Sequence, residues 1–466
     1  MIKKIFKILV VIIIVFYSLF VRKKNFAEIP IPGQSVDEYS YSWVGLSLIK
    51  TGMPVGISGL TGYQNRYDRY LNIDRFMQFI PSDPLAINYP WMDHPPLLGL
   101  ITGGYAYLMG AEVFEDTITL FIRKPIIIIS TISVFLVMIF CWINFGFLTS
   151  VFSGLAYGTA PLIVLSGRMI QAENAIIPCF LAVMISISLY SKSKKDFWLI
   201  LAAVFSGLAT LFKLTGVVCY LFTFLFLLEK YKKINAFFIK EFLFYLAVSI
   251  PISLLFLIYG SVYGIDNFKN ILFSNANRFY GIGPNLLLEL VRNQRLTQHK
   301  FLPEVWVITG WLVSLGYFIK KPTKTGEIIS LLALLSYLMV YILFGSQPYG
   351  WYTFPFWPIL IIMLSRFLVL GIEKGKNVLS VFIFSLMILG ANIARLIGIF
   401  EFQKYANIWR YSIFAVLLFI IFTISTNTKS KFLSKIILLL LFIGMFYTNI
   451  KYLNIIDIDF WWQNIS

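Results

Sequence analysis

Charge is scarce in this sequence. Only 13% of its 466 residues are Asp, Glu, Lys or Arg, while 59% are apolar and 18% aromatic; a soluble globular chain carries about 25% charged residues. That balance excludes a soluble enzyme, a disordered chain and a secreted disulfide scaffold. Histidine is almost missing, with His94 and His299 alone, so no His-rich zinc or iron centre can be assembled. The three cysteines, Cys141, Cys179 and Cys219, each stand inside an apolar stretch. An odd number so placed reads as packing residues, not as disulfides or metal ligands. Acidic residues are outnumbered by basic ones, 22 to 39, for a net charge of +17. The lysines come in short clusters between apolar runs, the pattern of membrane topology and not of a nucleic-acid surface.

Long apolar runs are what the sequence has in plenty, and they predict an all-α polytopic membrane protein. Thirteen spans are expected, near 5–21, 125–143, 146–166, 174–190, 197–212, 214–228, 241–260, 303–319, 327–345, 354–371, 377–399, 411–426 and 434–450. The first begins like a signal peptide, with Lys3 and Lys4 before an apolar run. It lacks a small-residue cleavage site and is followed by Arg22-Lys23-Lys24, so it reads as a retained anchor helix. Residues 96–110 are also apolar, but they are fewer than the roughly 20 that a crossing needs. Charge settles that segment. Lys3/Lys4/Lys7, Lys192/Lys194/Lys195, Lys230/Lys232/Lys233/Lys240, Lys320/Lys321/Lys324, Lys374/Lys376 and Lys429/Lys431/Lys435 all fall on one side only if 96–110 stays out of the bilayer. The N-terminus is then cytoplasmic, and two sizeable segments face outward, 22–124 and 261–302. The first holds ten of the 22 acidic residues, among them Asp74 and Asp83.

The first outer segment opens with Asp37-Glu38-Tyr39-Ser40-Tyr41-Ser42-Trp43. Tyr39, Trp43, Leu46 and Ile49 or Lys50 recur at helical spacing, which predicts one face of a helix lying along the membrane surface. Asp37 and Glu38 then stand at its N-terminus, where the helix dipole favours carboxylates. They read either as a simple cap or as a carboxylate pair at the lipid–water boundary, where a fixed orientation suits a general base. Further on, the double proline of Asp93-His94-Pro95-Pro96-Leu97 starts a second surface helix and presents Asp93 and His94 ahead of it. Lys213 lies near the outer end of its span and Arg168 at the outer end of the preceding bundle. A cation there either snorkels or meets an anion. Arg168 with Glu173 reads equally as a structural ion pair, and Tyr352 as one more interfacial aromatic. Arg278, Arg292, Arg295 and His299 make the second outer segment a charged surface or a lid.

Six of these stretches, in order, resemble one family: the polyprenyl-phosphate-dependent glycosyltransferases of the C fold, which include protein O-mannosyltransferases and lipid A aminoarabinose transferases. Asp37-Glu38 is similar to the family's DE pair and Asp93-His94-Pro95-Pro96-Leu97 to its HPPL-type motif. Phe121-Ile122-Arg123 resembles an a-R-l stretch. Arg168 to Glu173 resembles the outer-loop R-x4-E or R-x4-D motif, Leu211-Phe212-Lys213-Leu214-Thr215-Gly216 a T-K-x-x-G turn, and the 347–358 stretch QPYGWYTFPFWP a Y-x-x-P-x-x-P segment. The departures are DHPPL in place of EKPPL, and the lack of a large outer C-terminal domain. The resemblance covers roughly 1–371, leaving 372–466 as additional helices.

The resemblance implies a membrane glycosyltransferase that moves a sugar from a polyprenyl-phosphate donor to a hydroxyl of a protein, lipid or glycan acceptor, with inversion. Asp37 would be the base, and Glu38 and Asp93 would orient substrate or hold a divalent cation. His94 would donate a hydrogen bond. Lys213 and Arg168 would receive the phosphate, with Glu173 beside them and Tyr352 approaching it. No organic cofactor is implied, and no nucleic-acid partner. Heavy Ile, Lys, Asn and Phe usage suggests an AT-rich prokaryotic genome, hence a multi-pass protein of the plasma membrane with its site on the outer face. Two other classes remain in view. A polyprenyl-lipid flippase or small-molecule transporter should carry charges at mid-depth and repeat symmetry. A polymerase or ligase of surface glycans should place its functional loop late in the chain.

Overall fold

In hydrocarbon every backbone polar group must find its partner within the chain, and the helix achieves that inside a single segment. The computed structural model describes residues 2–33, 35, 37–70, 84–277, 290, 296, 302, 304–320, 322, 324–343, 349–375, 377–426 and 428–465. Asp74, Asp83, Arg278, Arg292, Arg295 and His299 lie outside the described residues, as does the start of the 347–358 stretch. In chain order the helices are α1 (Ile2–Lys23), α2 (Asp37–Thr51), α3 (Leu97–Leu108), α4 (Thr119–Phe145), α5 (Phe147–Thr159), α6 (Pro161–Ser166), α7 (Ala172–Ser193), α8 (Asp196–Phe212), α9 (Val218–Tyr231), α10 (Ala236–Ser253), α11 (Leu255–Val262) and α12 (Ile265–Ala276). There follow α13 (Val305–Lys320), α14 (Thr325–Leu343), α15 (Phe356–Lys374), α16 (Val378–Ile397), α17 (Ile399–Lys404), α18 (Ala406–Thr426), α19 (Thr428–Ile455) and α20 (Ile458–Ile465).

Each of the thirteen expected spans contains helix. Among the described residues, nine helical stretches are long and apolar enough to cross a membrane, while α8 and α13 are shorter apolar helices. The 146–166 stretch divides into α5 and α6. Pro161 causes the break: it has no N–H to donate, and it pushes Ala160 out of the helical region to φ −59°, ψ 122°. The count of thirteen is therefore not established by helix length.

The apolar segment at 96–110 forms α3, only 12 residues, which spans about 18 Å against a hydrocarbon core of about 30 Å. It packs on α2 through glycine. A Cβ added at Gly45 would stand 1.8 Å from the Gly99 carbonyl oxygen, and one at Gly103 would stand 2.1 Å from that of Ser42. With backbones this close, α2 is enclosed, and the ten residues Glu38–Ser47 are all buried. This corrects the expectation of a helix with one face on lipid. The sequence analysis also missed a small antiparallel sheet between α2 and α3. Strands β1 (Gly56–Ile57), β2 (Asn65–Arg69) and β3 (Leu85–Tyr89) lie in the order β1-β3-β2, with Ile57 and Tyr67 both opposite Ile87. Ser40 of α2 receives this sheet, its hydroxyl donating to the Ile57 carbonyl at 3.0 Å and accepting the Ile57 N–H at 2.9 Å.

The chain around α11 and α12 closes on the segment between α1 and α4. Phe268 and Ile271 of α12 pack with Leu60, Met92 and Phe256. Tyr259 donates to the Trp91 carbonyl at 2.7 Å, and Asn275 to the Asp93 carbonyl at 2.8 Å. At the C-terminal end, Asn392 donates to Asn449 at 2.7 Å and Asn449 to Thr159 at 3.3 Å, joining α16, α19 and α5.

The glycine contact yields a direct expectation. Gly45→Ala forces α2 and α3 apart and should destabilise the protein by about 1–3 kcal/mol. Gly316→Ala, where nothing stands within 4 Å of the added carbon, should leave the thermal unfolding midpoint in detergent unchanged or slightly higher.

Candidate active site

The chain leaves α8 at Lys213, whose extended backbone (φ −164°, ψ 148°) ends the helix. The turn folds back so tightly that a Cβ at Gly216 would stand 2.3 Å from the Ala209 carbonyl carbon. The Lys213 side chain is thereby turned inward, 6% exposed. Its ammonium donates to Glu173 Oε1 at 2.6 Å and stands 4.3 Å from the centre of the Tyr352 ring. Glu173 is the second residue of α7, where the N-terminal dipole supports a carboxylate. It is fully buried, and its Oε2 has no hydrogen-bond partner among the described residues. Tyr352 is carried by the short turn Gly350–Thr353 ahead of α15, and its carbonyl accepts from Tyr337 at 2.9 Å.

Asp37 is the first residue of α2 and half-buried. Its charge acts on both Lys213 and Tyr41, one helical turn further along. Burial, and then the negative charges of Asp37, Glu173 and Asp93, push the Tyr41 phenol well above its usual range. It stays a neutral donor at the middle of the group. The His94 ring stacks on Tyr41 at 5.8 Å between centres, with Trp91 edge-on to both. Asp93 is held by two hydroxyls, Ser58 at 2.6 Å and Tyr63 at 2.5 Å, while Tyr63 accepts the Met92 N–H at 2.9 Å. Burial and the Asp93 charge raise the Tyr63 phenol as well.

Asp37, Asp93, His94, Glu173, Lys213 and Tyr352 are thus brought together around Tyr41. Glu38 and Arg168 are not. Glu38 lies about 100° further round the helix than Asp37 and is turned to a different neighbour. Both its oxygens are taken by Arg123, at 2.7 Å from Nε and 2.8 Å from Nη2, with both residues fully buried. Arg123 Nη1 donates further to the carbonyls of Phe26 and Pro30 at 2.8 and 2.7 Å. Glu38 therefore cannot orient a substrate without breaking this pair. Arg168 does not pair with Glu173. It is 1% exposed and donates to the carbonyls of Ile29 and Val21 at 2.9 and 3.0 Å.

A divalent cation shared by Glu38 and Asp93 does not fit. The Glu38 oxygens face a guanidinium, and the Asp93 oxygens already accept two hydroxyls. No group of three or more His, Cys, Asp or Glu positioned for a metal occurs among the described residues. Sequence reasoning missed Tyr41, whose signal was its place one turn after Asp37. The signal for Arg123 is a charge at the opening of a long apolar run.

A family model for dolichyl-phosphate-mannose-protein mannosyltransferase matches residues 93–259. No curated protein matches the chain by sequence. Among solved structures, the chain is similar to ArnT from Cupriavidus metallidurans bound to undecaprenyl phosphate, with a TM-score of 0.53 and 15% identity over 97% of this chain and 76% of that one. It is similar also to the oligosaccharyltransferase AglB from Archaeoglobus fulgidus in complex with an inhibitory peptide and a dolichol-phosphate, with a TM-score of 0.56 and 12% identity. The apo form of the A. fulgidus enzyme gives 0.55 and 12%. In both archaeal comparisons the chain spans 56% of the length of the structure it matches.

The Glu38–Arg123 pair can be tested apart from any activity. Arg123→Met leaves a buried carboxylate unpaired and should cost about 3–5 kcal/mol, whereas adding Glu38→Met should recover most of that loss, both read as thermal unfolding midpoints. On the family model over residues 93–259 and a fold shared over 97% of the chain, this is a multi-pass membrane protein resembling the polyprenyl-phosphate-dependent glycosyltransferases of the C fold.

Proposed function

We propose that the protein is a membrane glycosyltransferase that moves a sugar from a polyprenyl-phosphate donor to an acceptor hydroxyl on the outer face of the plasma membrane, with inversion. The observation that carries this reading is a buried ammonium, Lys213, laid against Tyr352 within the electrostatic reach of a half-buried carboxylate, Asp37, with Tyr41 and His94 stacked alongside. A carboxylate and a cation at one site suit the two ends of a displacement, where a proton leaves one side and negative charge leaves the other.

In the proposed step Asp37 takes the proton of the acceptor hydroxyl as that oxygen attacks the anomeric carbon. The new oxygen–carbon bond forms on the face opposite the phosphate. The bond from the anomeric carbon to the phosphate oxygen breaks, and its electron pair leaves with the polyprenyl phosphate. Lys213 meets the departing charge as a point cation, and the Tyr352 phenol lies against that same ammonium. Asp93, held by Ser58 and Tyr63, and His94, stacked on Tyr41, line the sugar or acceptor. Glu38 and Arg168 act on the frame and not on the substrate. The lysine clusters support an outward-facing site and a cytoplasmic N-terminus. We read residues 1–371 as the catalytic module and 372–466 as helices added to it.

The deciding experiment is sugar release from labelled polyprenyl-phosphate hexoses by the purified protein beside Asp37→Asn. Turnover in the parent with loss of at least about a hundredfold in the near-isosteric variant, and with lipid binding retained, supports the base. Equal rates remove Asp37 and turn attention to Asp93. No release in either across a panel of donor sugars favours the carrier reading. A second variant probes the leaving-group side. Lys213→Met with Glu173→Gln, which avoids stranding a buried carboxylate, should raise the donor KM about tenfold or more, equivalent to about 1.4 kcal/mol of binding.

A further inference from the structure

The base side and the phosphate side of the site belong to segments distant in sequence: Asp37 opens α2, whereas Glu173 opens α7 and Lys213 ends α8. A side-chain hydrogen bond joins the two helix starts. Gln171 Nε2 donates to Ser35 Oγ at 2.6 Å. Each partner stands two residues ahead of a site carboxylate, Ser35 before Asp37 and Gln171 before Glu173. Both are buried, at 4% and 1% exposure.

Their backbones begin the same two helices. The Ser35 carbonyl accepts the Glu38 N–H at 3.3 Å, and the Gln171 carbonyl accepts the Asn174 N–H at 3.0 Å. Gln171 is the N-cap of α7 with extended backbone (φ −132°, ψ 138°), and its side chain makes no capping bond within its own helix. It reaches instead to the other segment. Arg168, three residues earlier, adds a tie in the same sense through the Val21 and Ile29 carbonyls.

We propose that the Ser35–Gln171 hydrogen bond is a positioning latch that sets the separation between Asp37 and the Lys213–Glu173 pair. The inference rests on the glycosyl-transfer reading of the site. Ser35 and Gln171 touch no substrate; they act through the helix starts that they join. One base and one cation must meet the same substrate together, and a misplacement of about 1 Å costs on the order of a hundredfold in rate. A buried bond suits this task because losing either partner leaves the other desolvated and unpaired.

The test uses the full chain in lipid nanodiscs, with the labelled polyprenyl-phosphate hexose as probe. Gln171→Leu and Ser35→Ala should each lower kcat by about 10- to 100-fold while the donor KM stays within about twofold. The double variant should be no worse than the poorer single, because both remove the same bond. Ser35→Thr keeps the acceptor oxygen and should retain the parent kcat, which separates a latch from general damage to the fold. Hydrogen–deuterium exchange should rise over residues 29–38 and 171–176 in Gln171→Leu. An unchanged kcat overturns the latch, as do single losses that multiply in the double variant. If the parent releases no sugar across the donor panel, the transfer reading fails by itself and exchange decides the latch. Faster exchange at both helix starts supports it, and unaltered exchange overturns it.

Discussion

Two opposite charges held without water, Glu38 and Arg123, are the constraint from which the rest of this site follows. Neither charge can stay in the protein interior alone, since the desolvation of each is worth several kcal/mol. The guanidinium therefore takes both Glu38 oxygens and directs its remaining donors to the Phe26 and Pro30 carbonyls. That fixes the first turn of α2 against α4, together with the chain leading into it. Asp37, the preceding residue, stands at the helix N-terminus about 100° round from it. Of two adjacent carboxylates, one is committed to the frame so that the other is held in place.

Arginine does similar work elsewhere in the frame. Arg22 donates to the carbonyls of Gly158 and Tyr157, and Arg168 to those of Val21 and Ile29. The planar fork of a guanidinium suits this task, because one side chain satisfies several carbonyls at the ends of α1 and α5 and in the turn after α1 that burial would otherwise leave unpaired. With Arg123, Arg168 holds the non-helical connection after α1 to the rest of the frame.

Lys213 is treated differently. Its ammonium is desolvated, paired with one oxygen of Glu173 and laid against Tyr352. Such a cation needs little further desolvation when an anion arrives. Under the proposed function, the cost of drying the binding group was met on folding, and the resident pair keeps the charge tolerable until then. The α2–α3 glycine contact serves the same end at one remove. It presses the helix bearing Asp37 and Tyr41 onto the helix that follows Asp93 and His94, so the two loops share one site.

Composition and charge placement by themselves determined the membrane-spanning, helical character of the chain. They also determined that residues 96–110 form a short helix and that Asp37, Asp93 and Lys213 stand out from their surroundings, whereas Tyr352 stands out only through the family resemblance. These are local properties: an apolar run, a Pro-Pro start, a charge where hydrocarbon is expected. Tertiary structure alone decided which of the adjacent carboxylates is taken by Arg123, because one residue of helix rotation sends Glu38 to that guanidinium, 85 positions away. It alone decided that Arg168 binds carbonyls and not Glu173, that Lys213 finds Glu173, and that α2 is enclosed on all sides. Each of those outcomes depends on partners brought close by the packing of separate helices, and pairing over such distances in sequence leaves no periodicity for a single chain to display.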